Sequence, residues 1–95
     1  MIRYHFHTHP KRGMCCHVYS TESRRELLVW GHKYGFPARW IHEGAMPHFD
    51  AWGSRLQNVP AEAARGAGVV GHHTFGTDAK AWRAKALAAA REVGT

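Results

Sequence analysis

The stretch Met1-Ile2-Arg3-Tyr4-His5-Phe6-His7-Thr8-His9 decides the fold class. Ile2, Tyr4 and Phe6 alternate with Arg3, His5 and His7, which is the period-2 pattern of a strand buried on one face. Pro10 and Gly13 flank Lys11 and Arg12 and punctuate a turn, and Met14 to Tyr19 then reads as a second short strand. Ser23-Arg24-Arg25-Glu26 has capping-box spacing, and Leu27, Trp30 and Tyr34 recur at helical intervals. Gly35 suits a left-handed position after a helix, and Pro37 blocks continuation.

Further along, Arg39 to His42 reads as a third strand, 43–47 as a loop, and His48 to Trp52 as a further strand or extended segment. Pro60 to Arg65 reads as a short helix ended by Gly66 and Gly68, and Val69 to His73 as a last strand. Thr77 is a good N-cap, and Asp78 favours the positive end of a helix that runs through Ala-rich sequence to about Val93. The order β-β-α-β-β-α-β-α predicts one α+β domain over residues 1–95, with a mixed or antiparallel sheet and about three helices.

The chain has 95 residues, 13 Lys+Arg, 7 Asp+Glu and 9 His, a formal charge of +6. That length excludes a multidomain enzyme. No apolar run approaches the ~18 residues of a membrane span, and no apolar segment follows a basic start, so a cytoplasmic protein is expected. Adjacent Cys15 and Cys16 form no disulfide framework, which agrees with a reducing compartment. Leu, Ile, Val and Phe supply 16 of the 95 residues, below the ~20% at which disorder becomes an issue. Four Trp and three Tyr argue for a folded core. A core this small commonly needs a staple, and nine histidines point first to a metal.

His5-x-His7 places two imidazoles on one side of a strand, about 7 Å apart along the backbone, where both can converge on zinc. The plainer alternative is two histidines on the solvent side of an edge strand. His48-x-Asp50 adds a carboxylate, a set that suits zinc, manganese or iron with open positions. The alternative there is a His–Asp contact that orders the loop after Pro47. If the first two strands form a hairpin, His17 faces His5 or His7, and Cys16 turns into the core as a small hydrophobe. Gly71-His72-His73 is similar to part of the His-metal-finger nuclease motif, which needs a second strand before its helix. His72-x-Thr74 is similar to half of a two-histidine phosphoesterase motif with no second His-x-Thr, so a polar strand end is the ordinary reading. Lys80, Arg83 and Arg91 lie near one stripe of the final helix, as a phosphate-binding surface or as a solvated basic face.

Cys16-His17, Glu26-Leu27, Gly35, Arg39-Trp40, Pro47-His48-Phe49-Asp50 and Ala64-x-Gly66-Ala67 together give residues 14–70 a resemblance to an uncharacterised bacterial and phage family, a small domain of unknown function. Members carry an acidic pair at the end of the first strand, where this chain has His5, His7 and His9. The resemblance implies a fold and a set of clustered polar residues, and no activity.

Three functions follow as expectations. The first is a small metal-dependent hydrolase of phosphodiesters or nucleotides. Its zinc or manganese ligands would be His17, His48 and Asp50 with His5 or His7, and Arg39 would neutralise charge on the phosphate. The second is a non-catalytic nucleic-acid-binding module. The third is an interaction module in which Trp30, Trp40, Trp52 and Trp82 supply a homodimer interface. The scarcity of carboxylates favours zinc or manganese over magnesium.

Overall fold

The alternation in the first twenty residues builds a hairpin. The computed structural model describes residues 1–44 and 46–94, and all their side chains except those of 93 and 94. Strands β1 (Ile2–His9) and β2 (Gly13–Ser20) are antiparallel neighbours, and β3 (Phe49–Trp52) pairs with β2 on its other side, giving the order β1-β2-β3. The register puts Tyr4 opposite Val18 and Phe49, and His5 opposite His17 and Asp50. Because strand neighbours point to opposite faces, this register sorts the sheet into an apolar side and a histidine-rich side.

The apolar side packs on helix α1 (Arg24–Tyr34). Ser23 caps that helix by accepting a hydrogen bond from the Glu26 amide at 3.0 Å, and Gly35 ends it at φ 82°. The Glu26 carboxylate does not complete a reciprocal capping box. It accepts instead from the amino terminus of Met1 at 2.7 Å and the Ser20 hydroxyl at 2.6 Å, so it ties the helix to both ends of the hairpin. Leu27 and Trp30 meet Tyr4, Cys16, Val18, Phe49 and Ala51 beneath, with Phe36 and Ala63 closing the sides. Trp30 Nε1 donates to the Tyr4 hydroxyl at 2.8 Å, which satisfies both buried polar groups. Gly31 is where α1 and β3 come closest. A Cβ there would lie 2.6 Å from the Phe36 carbonyl oxygen and 2.8 Å from the Phe49 ring.

Three expectations are corrected. Arg39 to His42 is not a strand: residues Ala38–Trp40 form a 3-10 turn that follows the backbone set by Pro37, and only His42 pairs, in an isolated bridge to His48. Val69 to His73 is not a strand either. Gly66 and Gly68 take positive φ, and a single bridge from Val69 to Tyr4 is all that the edge of β1 receives before the chain turns helical. The last helix, α3 (His72–Gly94), therefore begins before Thr77, whose hydroxyl donates to the His73 carbonyl at 3.0 Å instead of capping. Tertiary contacts made by the extra turn explain the early start, since His72 and Phe75 pack on the histidine side of the sheet. The expected short helix is α2 (Ala61–Ala64), and a 3-10 turn at Gly53–Asn58 precedes it. The observed α+β domain thus has a purely antiparallel three-stranded sheet. Of the loop expected over 43–47, Ala45 lies outside the described residues.

Helix α3 is docked by its first three turns. Asp78 accepts from Arg3 at 2.7 Å and from the Tyr19 hydroxyl at 2.5 Å, and Trp82 Nε1 donates to the Ser20 carbonyl at 2.7 Å. From Arg83 to Glu92 every residue is exposed. No helix among the described residues is long and apolar enough to cross a membrane.

Phe49→Ala should lower unfolding free energy by about 3–5 kcal/mol in a denaturant titration, as expected when a fully buried ring is removed. Gly31→Ala should lower it by about 1–3 kcal/mol, because the added methyl meets backbone and a packed ring rather than open space. Wild-type stability in Gly31→Ala would show that α1 and β3 are further apart than described.

Candidate metal centre

On the histidine side, register places His5, His17 and Asp50 in one row across the three strands. The bridge between His42 and His48, with backbone hydrogen bonds of 2.8 and 3.0 Å, pinches the loop between them and sets both rings beside Asp50. His17 Nε2 and His48 Nε2 lie 3.2 and 3.6 Å from Asp50 Oδ1, and His42 Nε2 lies 3.3 Å from Oδ2. Ligand atoms of His17, His48 and Asp50 all fall within 4.8 Å of one another, a spacing that could hold a metal ion.

Proton positions support that use. His48 Nδ1 contacts the Met46 carbonyl oxygen at 2.9 Å. A carbonyl only accepts, so Nδ1 carries the hydrogen, and in the neutral ring Nε2 presents a lone pair to the cluster. A carbonyl on the far nitrogen is the usual partner of a metal-ligating imidazole. His17 is held differently. His17 Nδ1 meets His5 Nδ1 at 3.2 Å, and His5 Nε2 meets His72 Nδ1 at 2.9 Å. With every ring neutral, this row has two consistent arrangements. In one, hydrogens point from His72 towards His17, and His17 presents an N–H to Asp50. In the other all reverse, and His17 Nε2 is left bare beside Asp50 and His48. A cation selects the second.

Burial keeps these rings ready. Desolvation is the main cause that brings His17 down to about 4, with His7, His48 and His5 adding repulsion against the opposing pull of Asp50. Desolvation, then His72 and His7, lowers His5 as well. Burial alone would also lower His48, but its contacts with Asp50 and the Met46 carbonyl outweigh it and its pKa is raised. Burial would raise Asp50, yet His48, His17 and His42 together hold it below the ordinary carboxylate value. The Phe75 ring stacks on His5 at 4.3 Å and on His17 at 5.0 Å, roofing one end of the row. The other end opens into a cleft of about 130 Å³ lined by His7, His9, Arg12, Cys15, His17, Asp50 and Trp52.

The five expected ligands are thus divided. His17, His48 and Asp50 converge; His5 stands behind His17 as its hydrogen-bond partner; His7 stacks on His17 at 4.3 Å and lines the cleft. His7 Nε2 is buried with no hydrogen-bond partner among the described residues. Arg39 lies exposed on the 3-10 turn, 6.0 Å over the Trp40 ring, and the arginine that lines the cleft is Arg12, 4.4 Å over Trp52. Lys80, Arg83 and Arg91 are exposed on α3. Cys16 is fully buried on the apolar side, as expected, and burial pushes its thiol up to about 12. Trp30 lies in the core and Trp82 is bonded to Ser20, so both serve the fold. Sequence reading missed His42, His72 and Arg12 as parts of this site. His72 is distant in sequence from His5, His42 ends a segment that reads as a strand of its own, and Arg12 lies in a turn, so no local spacing marks them. No protein-family model, curated protein or solved structure matches the chain.

Between pH 6.5 and 4 the unfolded chain binds a proton at residue 17 that the folded chain refuses, so stability rises with pH across this window. Metal-free protein should therefore lose melting temperature as pH falls from 6.5 to 4. His17→Gln should flatten that slope. His48 acts in the opposite sense, its stabilisation being complete below the unfolded value and lost as pH rises through the raised one. An identical slope in His17→Gln would contradict the burial of this ring.

Proposed function

We propose that the protein is a small metal-dependent hydrolase of phosphodiester or nucleotide substrates that holds zinc or manganese on His17, His48 and Asp50. The observation that carries this reading is the convergence of two imidazole nitrogens and one carboxylate oxygen within 4.8 Å, beside a cleft that contains an arginine. Two histidines and one carboxylate suit zinc or manganese and leave positions for substrate and water. A divalent ion so held acts as a Lewis acid and brings the pKa of a bound water towards neutrality. The protein's own groups do the rest. His48 is aimed by the Met46 carbonyl, and His5 aims His17. Arg12, held over Trp52, takes the charge-neutralising role expected of Arg39. His42 contacts the other oxygen of the Asp50 carboxylate, Oδ2, at 3.3 Å and so helps to orient it. The three converging residues are also ones on which the resemblance to the uncharacterised bacterial and phage family rests. Two free cysteines fit a cytoplasmic setting.

The second reading, a non-catalytic nucleic-acid-binding module, draws on the exposed Lys80, Arg83 and Arg91 of α3. The two differ in what chelation does.

Elemental analysis of untagged protein should find near-stoichiometric zinc or manganese, removable by a chelator with a fall in melting temperature. His48→Ala and Asp50→Ala should each lose metal, together with hydrolysis of a chromogenic phosphodiester. His5→Phe should weaken metal affinity by about 10–100-fold, the usual effect of removing a hydrogen-bond partner behind a ligand. Full metal content in both His48→Ala and Asp50→Ala would refute the site, and a metal-free protein with an unchanged melting temperature would refute the reading.

A further inference from the structure

Five of the nine arginines in this chain fall into two groups by the partners they meet. Arg3 and Arg24 are spent on ion pairs, with Asp78 and Glu43, each at 2.7 Å. Arg12, Arg39 and Arg55 hold no ion pair among the described residues and lie against aromatic rings instead. Arg12 is 4.4 Å over the Trp52 ring, and Arg55 is 5.8 Å from that same ring. Arg55 is also 3.9 Å over the Trp40 ring, and Arg39 is 6.0 Å from it. Three guanidiniums and two indoles thus alternate in one continuous series, Arg12–Trp52–Arg55–Trp40–Arg39. These residues come from the hairpin turn, the end of β3 and both 3-10 turns.

Attraction to a ring does not use up the N–H donors of a guanidinium as a carboxylate does, and those donors match a phosphate. It also limits side-chain freedom, so less is lost when a ligand binds. One end of the series is Arg12, which lines the cleft beside Asp50. His7, with its buried and unpartnered Nε2, lines the same cleft. A buried polar atom without a partner is unfavourable, and a His7 Nε2 that carries a hydrogen would gain one if an oxyanion reached it. The chain holds seven acidic residues against thirteen basic ones, and none of them forms an ion pair with Arg12, Arg39 or Arg55 among the described residues.

We infer that the Arg12–Trp52–Arg55–Trp40–Arg39 series is a binding track for the phosphate backbone of a single-stranded nucleic acid, delivering one phosphate to the cleft beside Asp50. A single strand is favoured over a duplex because a flexible backbone can follow a line of donors and enter a cleft of about 130 Å³. The rings are occupied by arginines, so recognition runs through phosphates and is indifferent to base sequence. This inference deepens the hydrolase reading by naming its substrate class. Binding to the track itself needs no metal, so the two are separable.

The test is fluorescence anisotropy of labelled dT20 and U20 with chelated, metal-free protein, over a salt series from 50 to 200 mM. Tight binding at low salt is expected, with affinity falling steeply as salt rises. Arg12→Gln, Arg39→Gln and Arg55→Gln should each reduce the slope of log K against log salt by about 0.7. Each should also weaken binding by about tenfold at 50 mM salt, equally for different base sequences. Circular dichroism checks that each variant folds, Arg25→Gln on α1 should bind as wild type, and Lys80→Gln/Arg83→Gln on α3 measures the competing surface. Tighter binding of U20 than dT20 would assign the track to RNA, and the reverse to DNA; either supports it. Absence of binding at 50 mM salt overturns the inference, as does a duplex bound as tightly as the single strands. Loss of binding in the α3 variant with none in the arginine variants overturns it too. A protein that binds the strands through these arginines yet holds no metal upholds the track and refutes the hydrolase reading.

Discussion

The antiparallel register that sets His5, His17 and Asp50 side by side is the constraint on which the rest of the structure depends. A shift of one residue in β2 would turn His17 into the core and Cys16 or Val18 out of it, exchanging the two faces of the sheet. With the register as it stands, one face is apolar enough to receive Leu27 and Trp30, and the other collects polar side chains from all three strands. That second face cannot simply be left bare, because Tyr19 and His5 are both buried there. Helix α3 covers part of it. Asp78 supplies the acceptor that Arg3 and Tyr19 share, and Phe75 supplies the apolar ring that the imidazoles stack on.

Crowding several imidazoles around one carboxylate has a definite electrostatic result. Desolvation and mutual repulsion work against charging His5 and His17, whereas direct contact with Asp50 favours charge on His48. His5 and His17 are therefore held as neutral nitrogen donors beside an ionised carboxylate, while His48 gives up its extra proton when a divalent cation binds. Outside the cluster, positive charge is distributed by partner. Arg3 and Arg24 hold the fold together through carboxylates, while Arg12, Arg39 and Arg55 are ordered by indole rings that leave their charge uncompensated. The scarcity of acidic residues is what keeps this second group free.

Local signals were sufficient for three elements. Alternation defined β1, the Pro10–Gly13 turn set off β2, and Ser23, the Leu27–Trp30–Tyr34 stripe and Gly35 defined α1, because strand pleat, turn and helix capping are properties of contiguous residues. The two expected strands at 39–42 and 69–73 each contribute one bridge only, because a 3-10 turn follows Pro37 in the first and the chain turns helical at His72 in the second. Thr77 had the chemistry of a cap, but contacts of His72 and Phe75 with the sheet stabilised an earlier start. Tertiary packing decided that boundary over local preference.

For the site, the sequence by itself determined the inventory: His5-x-His7 on one side of a strand, His48-x-Asp50 on another, and Cys16 opposed to His17. It could do so because i and i+2 residues of a strand share a face whatever they pair with. Only the tertiary structure decided which of these residues converge. Strand order brought His17 to Asp50, the His42–His48 bridge turned a second and third imidazole onto the same carboxylate, and α3 brought His72 to His5 from 67 residues away. The first and last of those approaches join segments that are remote in the chain, and the energy that holds them comes from burial of the opposite face and the docking of a helix, neither of which leaves a local spacing to read.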